Sequence, residues 1–386
     1  MPGGSPFDLR ISARLDSLRE SGLLRTLRPP TGVDFSSNDY LNLATDPRVV
    51  DGLVSGAVRE GCGSTGSRLL SGDRTAFSAI ERRFAQFKGA ERALLLSSGY
   101  LANLAVLATL PEAGDIIFSD ERNHASLIDG VRLSRAHKVV FPHSDVRVLE
   151  HLMESASSAG LRFVVVESLY SMDGDIAPLA ELQVLCQRQG ALLIVDEAHA
   201  VGVFGRRGTG LIEAADIDPN TCVTVNPAGK ALGAAGAFVT GSARLVDYMT
   251  QRARPFVFST APPPSLAGAL DASLRIVDEE PVRRERLLAR AGYFRSRLRG
   301  LGFSPSDAVT QIVPVIIGDN VRTVAVADQL QAEGFDVRAI RPPAVPAGTA
   351  RLRVSLNAAL TEATLDSFSD ALVGALKGRL CSAVSS

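Results

Sequence analysis

The chain predicts an α/β protein: a large domain built on a mostly parallel sheet, followed by a smaller α/β domain. Three observations predict it. Short apolar strands alternate with helical stretches of ten or more residues through the first two thirds of the sequence. The alternation breaks at Pro255 and at Pro262-Pro-Pro264, then resumes with shorter strands. At 386 residues the chain exceeds one typical hydrophobic core.

Residues 1–40 read as a short amphipathic helix, with apolar spacing at Leu15, Leu18 and Leu23, and then an extended segment. Strands follow at 92–97, 114–118, 138–141, 162–167, 191–196, 221–225 and 235–240, giving a seven-stranded sheet in a large domain over 41–262. Beyond the prolines come two Arg-rich helical stretches, 265–280 and 282–300. Strands at 311–317, 335–340 and 350–356 and helices at 320–333 and 361–378 complete a small domain over 263–386. There is no internal repeat.

Apolar residues make up 46% and charged residues 22%, which is ordinary for a globular protein. The net charge of −1 suggests neither a nucleic-acid partner nor a membrane surface. Cysteines at 62, 186, 222 and 381 show neither metal spacing nor a disulfide framework. With no apolar secretion signal at the N-terminus and no 18-residue apolar run, a reducing cytoplasm is the expected setting.

The chain has only four lysines, and Lys230 is the unusual one. It is the sole charge in Asn226-Pro-Ala-Gly-Lys-Ala-Leu-Gly-Ala-Ala-Gly-Ala-Phe238. An ammonium in apolar text either lowers its pKa, finds a partner or snorkels to solvent. The first option suits Schiff-base chemistry.

Ligands in open α/β sheets bind beyond the carboxyl ends of strands, so the residues after each strand are the candidates. Ser97-Ser-Gly-Tyr-Leu-Ala-Asn103 opens a helix, where Ser98, Gly99 and Tyr100 form either a phosphate cradle or an ordinary capped turn. His124 precedes another helix and either caps it or stacks on an aromatic ring. Ser171, Asp173 and Asp175 share an acidic turn. Asp196 leaves a strand with His199 three residues on; the pair can hold a cationic ring nitrogen, form an ion pair or bind a metal, though no further ligand spacing accompanies it. Cradle, stacking group, carboxylate and lysine in one domain are together what pyridoxal 5'-phosphate (PLP) requires.

At the level of motifs the chain resembles the α-oxoamine synthases, which are fold-type-I PLP enzymes. The resemblance covers about residues 8–380 and rests on Phe35-Ser-Ser-Asn-Asp-Tyr-Leu-Asn-Leu-Ala44, Gly66-Ser-Arg-Leu-Leu-Ser-Gly72 and Ser98-Gly-Tyr-Leu-Ala-Asn103. It continues through His124-Ala-Ser-Leu-Ile-Asp-Gly130, Ser171-Met-Asp-Gly-Asp175, Asp196-Glu-Ala-His199, Lys230-Ala-Leu-Gly233 and Phe258-Ser-Thr-Ala261. Ala339-Ile-Arg-Pro-Pro343 and Gly348-Thr-Ala-Arg-Leu-Arg353 point to the biotin-pathway branch. The resemblance implies Lys230 as the Schiff-base lysine and the acid/base at the substrate α-carbon. It implies Asp196 at the pyridine nitrogen, His124 on the ring, and His199 and Ser171 near the ring hydroxyl. Gly99 and Tyr100 are implied at the cofactor, Ser98 near its phosphate, and Ser259 and Thr260 at the phosphate of a neighbouring subunit in a homodimer. Arg353 is implied as the clamp for the amino-acid carboxylate, with Arg25 and Asn38 as substrate contacts.

The implied reaction is a decarboxylative condensation of L-alanine with a pimeloyl thioester, on coenzyme A or acyl carrier protein. Sibling condensing enzymes using glycine or serine are the rivals, and an aminotransferase is a more distant one. Two positions depart from the family. A phosphate-binding threonine is replaced by Pro227, which has neither hydroxyl nor N–H, leaving Thr224 or Asn226 to substitute. A substrate-side threonine is replaced by Ala344.

Overall fold

The structure is a computed structural model and describes residues 5–157 and 159–377. Cys381 and the last residues of the expected C-terminal domain lie outside that range. In chain order the strands are β1 (Val33–Asp34), β2 (Arg92–Leu96), β3 (Ile116–Asp120), β4 (His137–Phe141), β5 (Arg162–Glu167) and β6 (Ala191–Asp196). They continue with β7 (Cys222–Pro227), β8 (Ala237–Gly241), β9 (Ile312–Gly318), β10 (Phe335–Asp336), β11 (Ala339–Ile340) and β12 (Ala350–Ser355).

The chain forms two compact units. The larger holds 38–171 and 175–287. Its seven-stranded sheet runs β2-β8-β7-β6-β5-β3-β4. Pairing is parallel from β7 to β4 and antiparallel on both sides of β8. Central strands such as Phe163-Val-Val-Val166 and Leu193-Ile-Val195 are buried, as the apolar β-branched runs of a two-sided parallel sheet must be. Glu167 and Asp196 are register partners, so two carboxyl groups end adjacent strands at the carboxyl edge. Val106, Leu127, Phe163, Ile194, Val223 and Val239 contribute to one apolar core around these strands.

The helix Leu266–Glu279 packs on the helix Pro47–Glu60 within this unit. The contact is backbone to backbone: a Cβ on Gly52 would lie 2.5 Å from the Gly268 carbonyl oxygen. The units therefore divide between Leu287 and Leu288, later than the 262/263 boundary expected from the prolines.

The smaller unit contains residues up to Ser37, 172–174 and Leu288 onward. Its antiparallel sheet runs β11-β12-β9, and β1 pairs separately with β10 in parallel. The single strand expected at 335–340 is thus two short strands in two sheets. At the break the buried carboxylate of Asp336 holds Arg338 at 2.6 Å and 3.0 Å. The helix Pro6–Glu20 is fixed by a Ser5/Asp8 capping box and buries no residue. Among the described residues no helix is long and apolar enough to cross a membrane.

Candidate active site

At the carboxyl edge of the large sheet lies a cavity of about 370 Å³. Ser98, Gly99, Tyr100, Asn103, His124, Ser126, Glu167, Asp196, His199, Pro227 and Lys230 are among its walls. Sheet register and helix starts place each of them.

Lys230 sits in the loop that joins β7 to β8. The loop is closed by Ala228 N–H on the Gly236 carbonyl at 2.9 Å and tightened by Gly233 N–H on the Lys230 carbonyl at 2.8 Å. Gly233 adopts φ +60°, and a Cβ there would lie 2.4 Å from the Ala44 nitrogen, so the turn requires glycine. Lys230 finds the partner that its apolar setting demands: Nζ is 2.9 Å from His199 Nε2. His199 Nδ1 is 2.6 Å from the Tyr40 hydroxyl, which donates to Asn38 Oδ1 at 2.9 Å. With the Tyr40 proton on Asn38, Nδ1–H donates to Tyr40 and Nε2 accepts from the lysine.

Asp196 is buried and held from two sides. Its Oδ2 accepts from Asn103 Nδ2 at 2.7 Å, and its Oδ1 accepts from the Ala198 N–H at 2.8 Å. Asn103 also donates to Ser126 Oγ at 2.8 Å. Among the described residues, no group of three His, Cys, Asp or Glu side chains could hold a metal ion.

His124 caps its helix and also faces the cavity. Its Nδ1 accepts from the Ser126 N–H at 3.2 Å and caps the helix Ala125–Leu133, while its ring lines the cavity. The protein packed behind the ring lowers its pKa. The Asp196 carboxylate opposes that shift and the Lys230 ammonium adds to it. Tyr100 stands edge-on to His124, with ring centroids 6.5 Å apart. Ser98 caps the helix Gly99–Leu107 by accepting from the Leu101 N–H at 3.3 Å, so the first N–H groups of that helix open on the cavity.

Glu167, Asn103, Ser126 and Tyr40 were not singled out from the sequence. Glu167 was within reach of the strand-end rule that found Asp196. It is fully enclosed, and its pKa is pushed up to about 8 by burial and by the Asp196 carboxylate, against the pull of Lys230. The backbone N–H groups of His124 and Ser171 also work against that rise, and Oε1 has no partner.

Other candidates lie elsewhere. Ser171, Ser259 and Thr260 are in the large unit but do not line this cavity. Neither do Thr224 and Asn226: Thr224 bonds Thr240 Oγ1 at 2.5 Å and Asn226 Nδ2 at 2.8 Å inside the sheet. Neither therefore replaces the threonine missing at Pro227, which is itself part of the wall. Arg25 and Arg353 belong to the smaller unit. Arg25 donates to the Pro342 carbonyl at 3.2 Å, and the buried Arg353 donates to Ser355 Oγ at 2.9 Å.

Comparison with known proteins agrees with this fold. Residues 30–372 match the family model "Aminotransferase class I and II". An 8-amino-7-oxononanoate synthase of Anaeromyxobacter sp. (strain K) is 47% identical over 95% of both chains. A serine palmitoyltransferase from S. paucimobilis, solved with PLP bound, superposes with a TM-score of 0.89 at 30% identity, covering 97% of this chain and 98% of that one. An 8-amino-7-oxononanoate synthase structure from Francisella tularensis gives 0.78 at 29%, covering 90% and 99%. The fold and the cavity define a fold-type-I α/β enzyme. The chain belongs to the aminotransferase class I and II family, in its 8-amino-7-oxononanoate synthase branch.

Proposed function

We propose that the chain condenses L-alanine with a pimeloyl thioester, with release of CO2 and the thiol, to give 8-amino-7-oxononanoate for biotin synthesis. PLP is the cofactor. The observation that carries this reading is the pairing, in one cavity, of the Lys230 amine with a buried, hydrogen-bonded Asp196, in a chain 47% identical to a synthase of that name.

The walls fit PLP. They offer an amine for its aldehyde, a carboxylate for its ring nitrogen and a helix N-terminus for its phosphate. Two buried oxygens, Asn103 Oδ1 and Glu167 Oε1, have no protein partner. When bound, PLP acts as a sink for the charge left at the substrate α-carbon. Lys230 would hold the cofactor through Nζ and, once displaced by alanine, take and return the α-proton with that same nitrogen. Asp196, fixed by Asn103, would keep the ring nitrogen protonated. His124 would cover the ring, with His199 and Ser171 at its hydroxyl. Ser98, Gly99 and Tyr100 would hold the phosphate end, with Ser259 and Thr260 supplied by a second copy in a homodimer. Arg353 would pair with the alanine carboxylate, and Arg25 and Asn38 would touch substrate. The thioester carrier is coenzyme A or acyl carrier protein, and the setting is the cytoplasm.

Lys230→Ala tests the assignment. The variant should lose turnover, the visible absorbance of bound cofactor and borohydride labelling of the 226–238 peptide; a variant that keeps them refutes it. Thiol release should require alanine with pimeloyl-CoA. Release with serine and a long acyl-CoA alone would move the chain to the palmitoyltransferase-like reading that its 0.89 TM-score keeps open.

A further inference from the structure

His143, just past β4, is used by nothing above. Its Nδ1 lies 3.0 Å and 3.2 Å from the two carboxylate oxygens of Asp120, and its Nε2 lies 2.5 Å from Asp175 Oδ2. Asp120 ends β3, four residues before His124, and Asp175 comes four residues after Ser171. The Glu167 carboxyl, on the cavity wall, feels the backbone N–H groups of His124 and Ser171 from the same two loops. The His143 ring joins those loops through the side chains of Asp120 and Asp175.

A neutral imidazole carries one N–H, so facing carboxylates at both nitrogens calls for the doubly protonated form. The groups around the ring agree. Asp120 and Asp175 face its nitrogens, Glu121 Oε1 accepts its backbone N–H at 3.2 Å, and the Tyr170 ring stands edge-on at 4.3 Å. Tyr170 stays neutral, its pKa driven well up by burial. Asp120 is also locked from behind, accepting from the N–H groups of Arg122 at 2.8 Å and Ser144 at 2.9 Å.

We propose that His143 is a positioning residue whose imidazolium, bridging Asp120 and Asp175, sets the loops that present His124 and Ser171 to the cofactor. The proposal rests on the reading that the cavity takes PLP. Burial opposes the charge, but the hydrogen bonds and charges of Asp120 and Asp175 outweigh it and raise the His143 pKa to about 9. The bridge is thus complete at neutral pH and lost as pH rises through that value.

The test is the PLP dissociation constant of the full chain, read by absorbance titration for wild type, His143→Gln and Asp175→Asn, at about pH 7.5 and about pH 10. At the lower pH each variant should bind PLP about ten-fold more weakly, roughly the worth of one charge-assisted hydrogen bond. At the higher pH the ratio of variant to wild type should shrink to within about two-fold, because the wild-type ring has lost its second proton. Unchanged affinity at the lower pH overturns the proposal. So does a ratio that stays constant across pH, which is what a purely structural role gives. If His143→Gln does not fold, Asp175→Asn decides by the same two criteria, since it leaves the Asp120 arm intact. A wild-type chain that takes no PLP sinks the functional reading and this proposal together.

Discussion

Pro227 is part of the cavity wall, and its ring constrains its neighbour. A Cβ on Gly99 would lie 2.5 Å from Pro227 Cγ and 2.9 Å from its Cβ. Position 99 must stay glycine while 227 is proline. Pro227→Thr adds one hydroxyl donor and removes the ring. The expected result is PLP binding tighter by about ten-fold, the scale of one hydrogen bond to a charged group. Gly99→Ala alone should weaken binding; in the Pro227→Thr background it should weaken it less, because the clashing ring is gone. A double-mutant cycle on dissociation constants measures that coupling, and additive effects would show that the two positions do not meet.

At the scale of elements, the sheet carries its own signature and the loops do not. The strands at the centre of the large sheet are apolar, β-branched and bounded by polar residues, so their positions and the candidates at their ends were legible: Asp196, His124, Ser98 and Lys230 all meet in one cavity. Long-range pairing is what local text hides. Lys88 sits among charged residues, yet its side chain is 1% exposed, ion-paired with Glu197 and 2.6 Å from the Thr209 carbonyl; Lys230, the lysine in apolar text, is half-buried. Nothing near the acidic turn at 173–175 announces its partner, since Asp175 is bound to a histidine 32 residues earlier in the chain. The contact division falls after the prolines because the helix Leu266–Glu279 packs on Pro47–Glu60 through facing glycines. Gly52→Ala tests that crossing. Its Cβ would meet backbone oxygen, which cannot rotate away, so the helices must part. A loss of about 1–3 kcal/mol, typical of overpacking, should lower the melting temperature by several degrees. An unchanged melting temperature would mean that the crossing is looser than its geometry.

For the whole molecule, a net charge of −1 leaves little general repulsion near neutrality, so pH acts through individual buried groups. Two of them push in the same direction. Glu167 has a folded pKa of about 8 against an ordinary 4.5. It binds its proton more tightly when folded, so its contribution is whole below the ordinary value and lost between there and about 8. His143 has a folded pKa of about 9 against 6.5, and its contribution is lost across that window. The windows overlap from about 6.5 to 8, where each group can remove up to about 1.4 kcal/mol per pH unit. Cys186 and Cys222, pushed by burial to about 12, stay neutral throughout. The cofactor-free protein should therefore lose thermal stability from about pH 4.5 to 9, most steeply between about 6.5 and 8, and then level off. Glu167→Gln should flatten the lower part of that slope and His143→Gln the upper part. A melting temperature that holds constant over this range would mean that neither proton is held as the geometry requires. A slope that survives both substitutions would place the pH dependence outside these two groups.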